Sequence, residues 1–349
     1  MKKTLLALVV ASAATSVNAA EIYKTDDSAI DFYGQLRTEL KFKDADNHKA
    51  DLSSGSSRMG IDGSHALSSS VDVLGKVEVG VRDNKDVNVR LHEFGFAGDF
   101  GTIKFGKQWT TGEDIYGADY SYFFGGTALR DRTLSDALHD SQVKYNYTAD
   151  SFWVQGSWGL NENESNQDLY EIFAGTEFGA LNLHVGAGVN RDYAHVVGED
   201  KSDTDAPKDV KADLQNTYFE LTTEYALGDH LIGFTYYNAE VERKDSSLTV
   251  KENAFSLAGI FQATEKTALY GGYEFVDQSA SGADIVDGDG TLIYLGLEHR
   301  FNSWARTYAE YAYADGTTLG YSNKGSETVV GFTTADGESN FAIGARFYW

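Results

Sequence analysis

The final nine residues, Phe341-Ala342-Ile343-Gly344-Ala345-Arg346-Phe347-Tyr348-Trp349, alternate apolar with small or polar positions and end the chain on an aromatic. Side chains of a strand point to opposite faces with period two, so Phe341, Ile343, Ala345, Phe347 and Trp349 share one face. Chain ends of soluble domains usually fray into polar tails. An apolar strand face that runs to the last residue fits the closing strand of a barrel in a lipid bilayer.

The same alternation recurs upstream. Ile30, Phe32, Gly34, Leu36, Thr38, Leu40 and Phe42 form one face, with Asp31, Tyr33, Gln35, Arg37, Glu39 and Lys41 opposite. Val71, Val73, Gly75, Val77, Val79 and Val81 form another, as do Leu181, Leu183, Val185, Ala187 and Val189. Such runs predict sixteen strands. Short turns are expected at 64–70, 98–101, 148–150, 179–180, 226–230, 263–266 and 302–304. Longer connections are expected at 43–54, 110–139, 160–168, 191–213, 242–250, 277–290 and 314–339. Alternating short and long connections mark an outer-membrane barrel. Trp153, Trp304 and Trp349 fall near short-turn ends and Trp158 near a long-loop end, where bilayer interfaces favour such rings. A soluble sandwich also alternates, but sixteen strands would make a very large one. One strand is irregular: Val87, Val89 and Leu91 share a parity that Phe94 and Phe96 do not. Either a β-bulge sits near His92-Glu93, or this strand faces another subunit.

Composition agrees. The 349 residues include 36 Gly, 21 Tyr and 20 Phe, with one Pro and no Cys, which suits long strands and excludes a disulfide scaffold. Residues 1–19 read as a signal peptide: Lys2 and Lys3, an apolar run from Leu5 to Ala14, then Val17-Asn18-Ala19 as the cleavage site. Residues 20–349 form one domain, and no later apolar run reaches the roughly 18 residues of a membrane helix. The formal charge is −24, two units more negative without Lys2 and Lys3. That excess repels nucleic acid and favours cations.

Catalytic signatures are missing. There is no G-x-S-x-G, H-E-x-x-H or P-loop, and the eight His are scattered without ligand spacing. Asp284 to Gly290 lacks calcium-loop spacing and reads as an acidic turn. No cofactor, metal or enzymatic activity is expected.

Several short motifs, taken in order, carry a resemblance. They are Ala20-Glu21-Ile22-Tyr23 with Asp31-Phe32-Tyr33-Gly34, Ser57-Arg58-Met59-Gly60, and Arg90 with Gly95. After them come Gly98-Asp99-Phe100-Gly101-Thr102, Phe105-Gly106-Lys107-Gln108, Phe124-Gly125-Gly126 and the terminal aromatic Trp349. Across residues 20–349 the chain resembles the general porins of Gram-negative outer membranes, particularly the branch found in Vibrio and its relatives.

The resemblance implies an all-β, sixteen-stranded antiparallel transmembrane barrel with an inward-folded third loop, assembled as a homotrimer. Outer-membrane lipid, lipopolysaccharide and the barrel-assembly machinery are its implied partners. Phe347 and Trp349 are the implied assembly signal, although the family usually ends in Phe. Residues 110–139 match the third loop, and Asp119 matches a family acid. The second usual acid is replaced by Phe123 and the motif's Pro by Tyr122. On the facing wall Arg58 and Arg90 match two basic positions, and Arg37 stands in for a Lys at Gln35. Parity adds Lys76 to that wall, and Glu113 and Asp114 are further loop acids. A third family Arg maps near Leu138, for which Arg130 and Arg132 are substitutes. The second loop, 82–86, is too short for the family's latch, and 314–339 is long enough to fold into the mouth.

Opposed charges across a narrow wet gap create a transverse field that orders water while small solutes pass. The expected function is therefore a water-filled channel for small hydrophilic solutes and ions, preferring cations. A non-channel adhesin or hydrolase barrel, or a substrate-selective sugar porin, is the alternative.

Overall fold

A computed structural model describes residues 20–349 except 45–46, 82–86, 116, 127–133, 135–136, 162–167, 201–207, 283–286 and 319–332. The segment 1–19 expected to be a signal peptide, Arg130, Arg132 and the short second loop lie outside the described residues. So does most of the 314–339 connection.

The strands are β1 (Ala20–Lys24), β2 (Ser28–Phe42), β3 (Ala50–Ser53), β4 (Arg58–Ser68), β5 (Val71–Gly80), β6 (Asn88–Gly98), β7 (Gly101–Trp109), β8 (Leu138–Thr148) and β9 (Phe152–Gly159). They continue with β10 (Asp168–Phe178), β11 (Leu181–Asp200), β12 (Lys208–Leu227), β13 (His230–Arg243), β14 (Thr249–Thr264), β15 (Thr267–Ser281), β16 (Gly288–Asn302), β17 (Ala305–Thr318) and β18 (Thr333–Tyr348). One short helix, α1 (Thr111–Asp114), follows β7. β2 and β4 to β18 pair antiparallel in chain order, and β18 pairs back to β2, closing a ring of sixteen strands. β1 and β3 are short ribbons beside β2.

Each strand turns its apolar parity outward. Ile172, Phe219, Leu257, Leu295 and Ile343 are exposed, while Glu220, Thr235, Glu274 and Glu310 on the opposite face are buried. Exposed apolar bands over a polar interior are the wall of a barrel in lipid, where every backbone group needs an internal partner.

The seam shows how the chain end takes part. Gly34 N–H donates to the Trp349 carbonyl at 3.0 Å, and Trp349 N–H donates to the Gly34 carbonyl at 3.2 Å. β1 continues along the same edge of β2, with Ala20 opposite Phe32. The indole of Trp349 lies over Gly34, where any side chain would collide with it. Phe32 and Phe347 flank that indole, each with ring centroids 6.1 Å away.

The irregular strand contains a β-bulge. Glu78 pairs with Leu91 but Val79 pairs with Val89, so Arg90 is the extra residue. The bulge lies at Arg90-Leu91, just before the predicted His92-Glu93. It buries both Arg90 and Leu91, then resets the parity so that Phe94 is exposed. The switch of parity is thereby explained within one chain.

Several expected long connections are shorter than predicted. β11 and β12 continue pairing to Asp200 and Lys208, and residues 244–248 alone join β13 to β14. Beyond the bilayer a strand no longer needs an apolar outer face, so the period-two signal fades while the ladder continues. An apolar cluster of Leu134, Ala212, Leu214, Val241 and Val250 supports this extension.

Gly34→Leu is expected to displace Trp349 and destabilise the assembled protein by about 1–3 kcal/mol, the usual cost of overpacking. Loss of heat-resistant mobility on a denaturing gel at lower temperature is the measurement. Trp349→Phe should assemble normally, and unchanged assembly of Gly34→Leu would exclude the seam contact.

Candidate functional site

The segment after β7 is fastened to the inner wall by side chains that satisfy its backbone. Thr110 caps α1 by accepting from Glu113 N–H at 3.3 Å. The N–H groups of Thr111 and Gly112 donate to the Glu171 carboxylate at 2.6 and 3.4 Å. Ile115 packs with Phe173, Tyr218, Tyr237 and Val276. Ala118 is held from both sides: its N–H donates to Thr235 Oγ1 and its carbonyl accepts from Ser256 Oγ, each at 2.6 Å. Tyr120 N–H donates to Tyr294 Oη at 3.1 Å, and its own hydroxyl donates to Glu224 at 2.6 Å. Burial, followed by the Glu224 charge, holds that phenol above its ordinary pKa, so it stays a donor.

Glu310 is the strongest anchor. Its carboxylate accepts from three successive backbone N–H groups: Tyr122 at 2.6 Å, Phe123 at 3.3 Å and Phe124 at 2.8 Å. Gly126 N–H donates to Glu274 at 2.7 Å. Phe124 then joins Ala258, Tyr270, Leu292 and Tyr294 in a second apolar cluster. The segment thus hydrogen-bonds to strands from β9 to β17 across the interior face.

The predicted wall residues come together. Arg58 and Arg90 share Glu78, with Nε to carboxylate distances of 3.4 and 2.8 Å, and Tyr33 donates to the same carboxylate at 3.1 Å. Glu78 is 3% exposed. The bulge at Arg90 therefore aims a guanidinium at a buried carboxylate, and Trp109 lies 4.9 Å beneath it. Arg37 lies on the same inner face, two residues from Gln35. Lys76 pairs instead with Asp62 at 3.2 Å and sits 4.8 Å over the Tyr33 ring.

The predicted loop acids do not form one opposing cluster. Asp114 binds Lys144 and accepts from Gln155 at 3.1 Å, near the root of the loop. Asp119 accepts from Ser121 N–H at 2.9 Å, and its Oδ1 fills the space beside Gly125 that a side chain there would need. Glu113 lies on α1 with its N–H in the Thr110 cap.

Four participants escaped the sequence reading. Glu78 serves both arginines, and Glu310 organises the loop. Arg346 stacks over Tyr122 at 4.6 Å and Tyr308 at 4.9 Å, while those two rings stack at 4.0 Å. Arg306 Nη1 donates to Tyr122 Oη at 3.2 Å and approaches Glu298 at 3.3 Å. At Phe123, read in the sequence as the replacement of the second acid, Lys41 lies 5.6 Å over the ring. Inner parity on the last two strands was the available signal for Arg306 and Arg346.

Glu310→Ala should leave three N–H groups without their acceptor and loosen the loop by about 2 kcal/mol or more, the usual cost of such a loss. Limited proteolysis within 119–126 is expected to accelerate while the barrel stays folded; unchanged cleavage would refute the anchor.

The Gram-negative porin family matches residues 6–319. Porin-like protein H of Photobacterium profundum is 26% identical, over 90% of this chain and 95% of its own. A major outer membrane protein of Pasteurella multocida is also 26% identical, over 89% and 92%. Among solved structures, in-vitro folded OmpT, an outer membrane protein of Vibrio cholerae, superposes with a TM-score of 0.85 at 53% identity, covering 95% of this chain and all of that one. An anion-selective porin from Comamonas acidovorans, 14% identical with a TM-score of 0.74 over 93% of this chain and all of that one, shares the fold. A sixteen-stranded barrel of outer-membrane type, matched over nearly its whole length, belongs to the Gram-negative porin family.

Proposed function

We propose that the chain forms a water-filled channel for passive diffusion of small hydrophilic solutes and ions across the outer membrane, with a preference for cations. The observation that carries this reading is the charged inner face of a closed, apolar-walled barrel: Arg58 and Arg90 with Glu78 on one side, and a loop fastened to β9–β17 on the other. Fixed charges lining a wet passage set which ions linger there. The cation preference rests on the net charge of −24, which draws cations to the mouths.

The constriction in this reading lies between Arg37, Arg58 and Arg90 and the loop that carries Asp119. Lys76, Glu113 and Asp114 flank it, because Lys76 and Asp114 are engaged by Asp62 and Lys144 and Glu113 lies at the root of the loop. Assembly as a homotrimer is supported by the solved trimer form of OmpT from Vibrio cholerae, 53% identical to this chain. Phe347 and Trp349 serve as the assembly signal, consistent with an exposed Phe347 packed on a half-buried Trp349 at the seam.

Planar-bilayer recording under a KCl gradient should give a reversal potential of cation sign, and the opposite sign would defeat the selectivity claim. Absence of step conductances would favour the non-channel adhesin or hydrolase. Replacing Arg58 and Arg90 together by Ala should raise conductance and cation preference, since Glu78 is then left unopposed. The double variant should also melt earlier, because breaking a buried pair costs about 3–5 kcal/mol; Glu78→Gln in that background should restore much of the loss.

A further inference from the structure

Three arginines lie directly opposite one another across neighbouring strands. Arg306 of β17 pairs in register with Arg346 of β18, and Arg346 pairs with Arg37 of β2. All three stand on the inner parity. Facing residues of antiparallel strands have Cβ atoms roughly 5 Å apart, and like charges placed so are destabilising. Arg58 extends the row through Gln35, which stands opposite it on β2. With its amide carbonyl turned toward them, Gln35 accepts from Arg58 Nη1 at 2.7 Å and from Arg37 Nη2 at 3.1 Å.

Among the described residues, countercharge reaches only the ends of this row. Glu298 serves Arg306 and Glu78 serves Arg58. Among the described residues, Arg37 and Arg346 have no carboxylate within ion-pair distance. Arg346 donates to the Tyr308 hydroxyl at 3.1 Å and otherwise rests on aromatic faces. Glu39, the acid nearest Arg37 in sequence, is taken by Lys41 at 3.0 Å.

A second, independent observation points the same way. Tyr348 is 6% exposed, stands opposite Gln35, and has Arg306 5.1 Å over its ring. Its hydroxyl is buried without a hydrogen-bond partner among the described residues. A buried phenolic donor left unmatched under Arg306, two residues along the strand from Arg346 and on the same inner parity, complements an oxygen-rich anion.

We infer that Arg37 and Arg346, flanked by Arg306 and Arg58 and completed by the Tyr348 hydroxyl, form an oxyanion-binding site in the lumen, suited to a phosphate group. Guanidinium forks match phosphate oxygens two at a time, and the aromatic faces of Tyr122 and Tyr308 hold the Arg346 fork in place. The inference rests on the channel reading for access to the lumen, but binding itself needs no conduction. Within a strongly acidic chain the two signs have separate roles: the mouths concentrate cations, while the row retains the anion. A bound phosphate adds negative charge to the passage and shifts selectivity further toward cations.

The test uses inorganic phosphate as probe. Its phosphorus NMR line should broaden in the presence of the detergent-solubilised wild-type protein, saturably and at constant ionic strength. Arg37→Gln and Arg346→Gln should each weaken that binding about tenfold or more, the loss expected for a charge-assisted hydrogen bond. Tyr348→Phe should weaken it by about two- to fivefold for one neutral hydrogen bond. Lys76→Gln, on the same wall but outside the row, should bind as wild type. Should Arg346→Gln fail to assemble, Arg37→Gln and Tyr348→Phe decide the matter. In bilayers, phosphate should move the wild-type reversal potential toward the cation side and leave Arg37→Gln unmoved. Unbroadened phosphate with the wild-type protein, or equal broadening with Arg37→Gln and Tyr348→Phe, overturns the site. Phosphate binding without any conductance would instead overturn the channel reading and leave the site standing.

Discussion

Hydrocarbon supplies no hydrogen bonds, and that single fact governs this molecule. Every N–H and carbonyl of the sixteen strands must find its partner in a neighbouring strand, so the sheet has to return on itself. The return is made where β18 meets β2, and it is sealed by a reciprocal pair of backbone bonds between Gly34 and Trp349. A glycine is required there because the indole occupies the space of its side chain. The terminal aromatic thus belongs to the closure itself as well as to the apolar band.

Closure creates an interior that must be furnished separately. A loop crossing that interior carries backbone N–H groups that need acceptors, and buried carboxylates provide them. Glu171, Glu274 and Glu310 receive six loop N–H groups between them. Part of the chain's acidity is therefore structural. The basic side chains divide differently: Arg58 and Arg90 converge on one buried Glu78, whereas Arg37 and Arg346 face each other with no carboxylate partner among the described residues. Unlike charges are combined on one stretch of wall and like charges are gathered on the next, so the field inside is set by register and not by net charge.

Much of the wall was legible because period two is imposed by the backbone. The strands at 30–42, 71–81 and 181–189 were read from alternation alone. The irregularity in β6 was also legible, although the bulge falls at Arg90-Leu91. Less legible were the extensions of β11 to β14 beyond the predicted ends, since strands outside the bilayer carry no outward apolar code. The loop acids were the weakest reading. Asp114 was identified by residue type and Asp119 by resemblance, and neither says which partner stands opposite; those are Lys144 and Ser121.

What the sequence determines alone is the family, the closed barrel and which parity faces lipid, because each follows from local alternation, turn spacing and short ordered motifs. Only the tertiary structure decided that Glu78 joins two arginines, that Glu310 holds the loop, and that Arg306, Arg346 and Arg37 stand abreast. Arg37 and Arg346 are separated by nearly the whole chain and become neighbours only when the last strand pairs with the first long one. Pairing between strands distant in sequence depends on register and closure, and neither is written in any single stretch of residues.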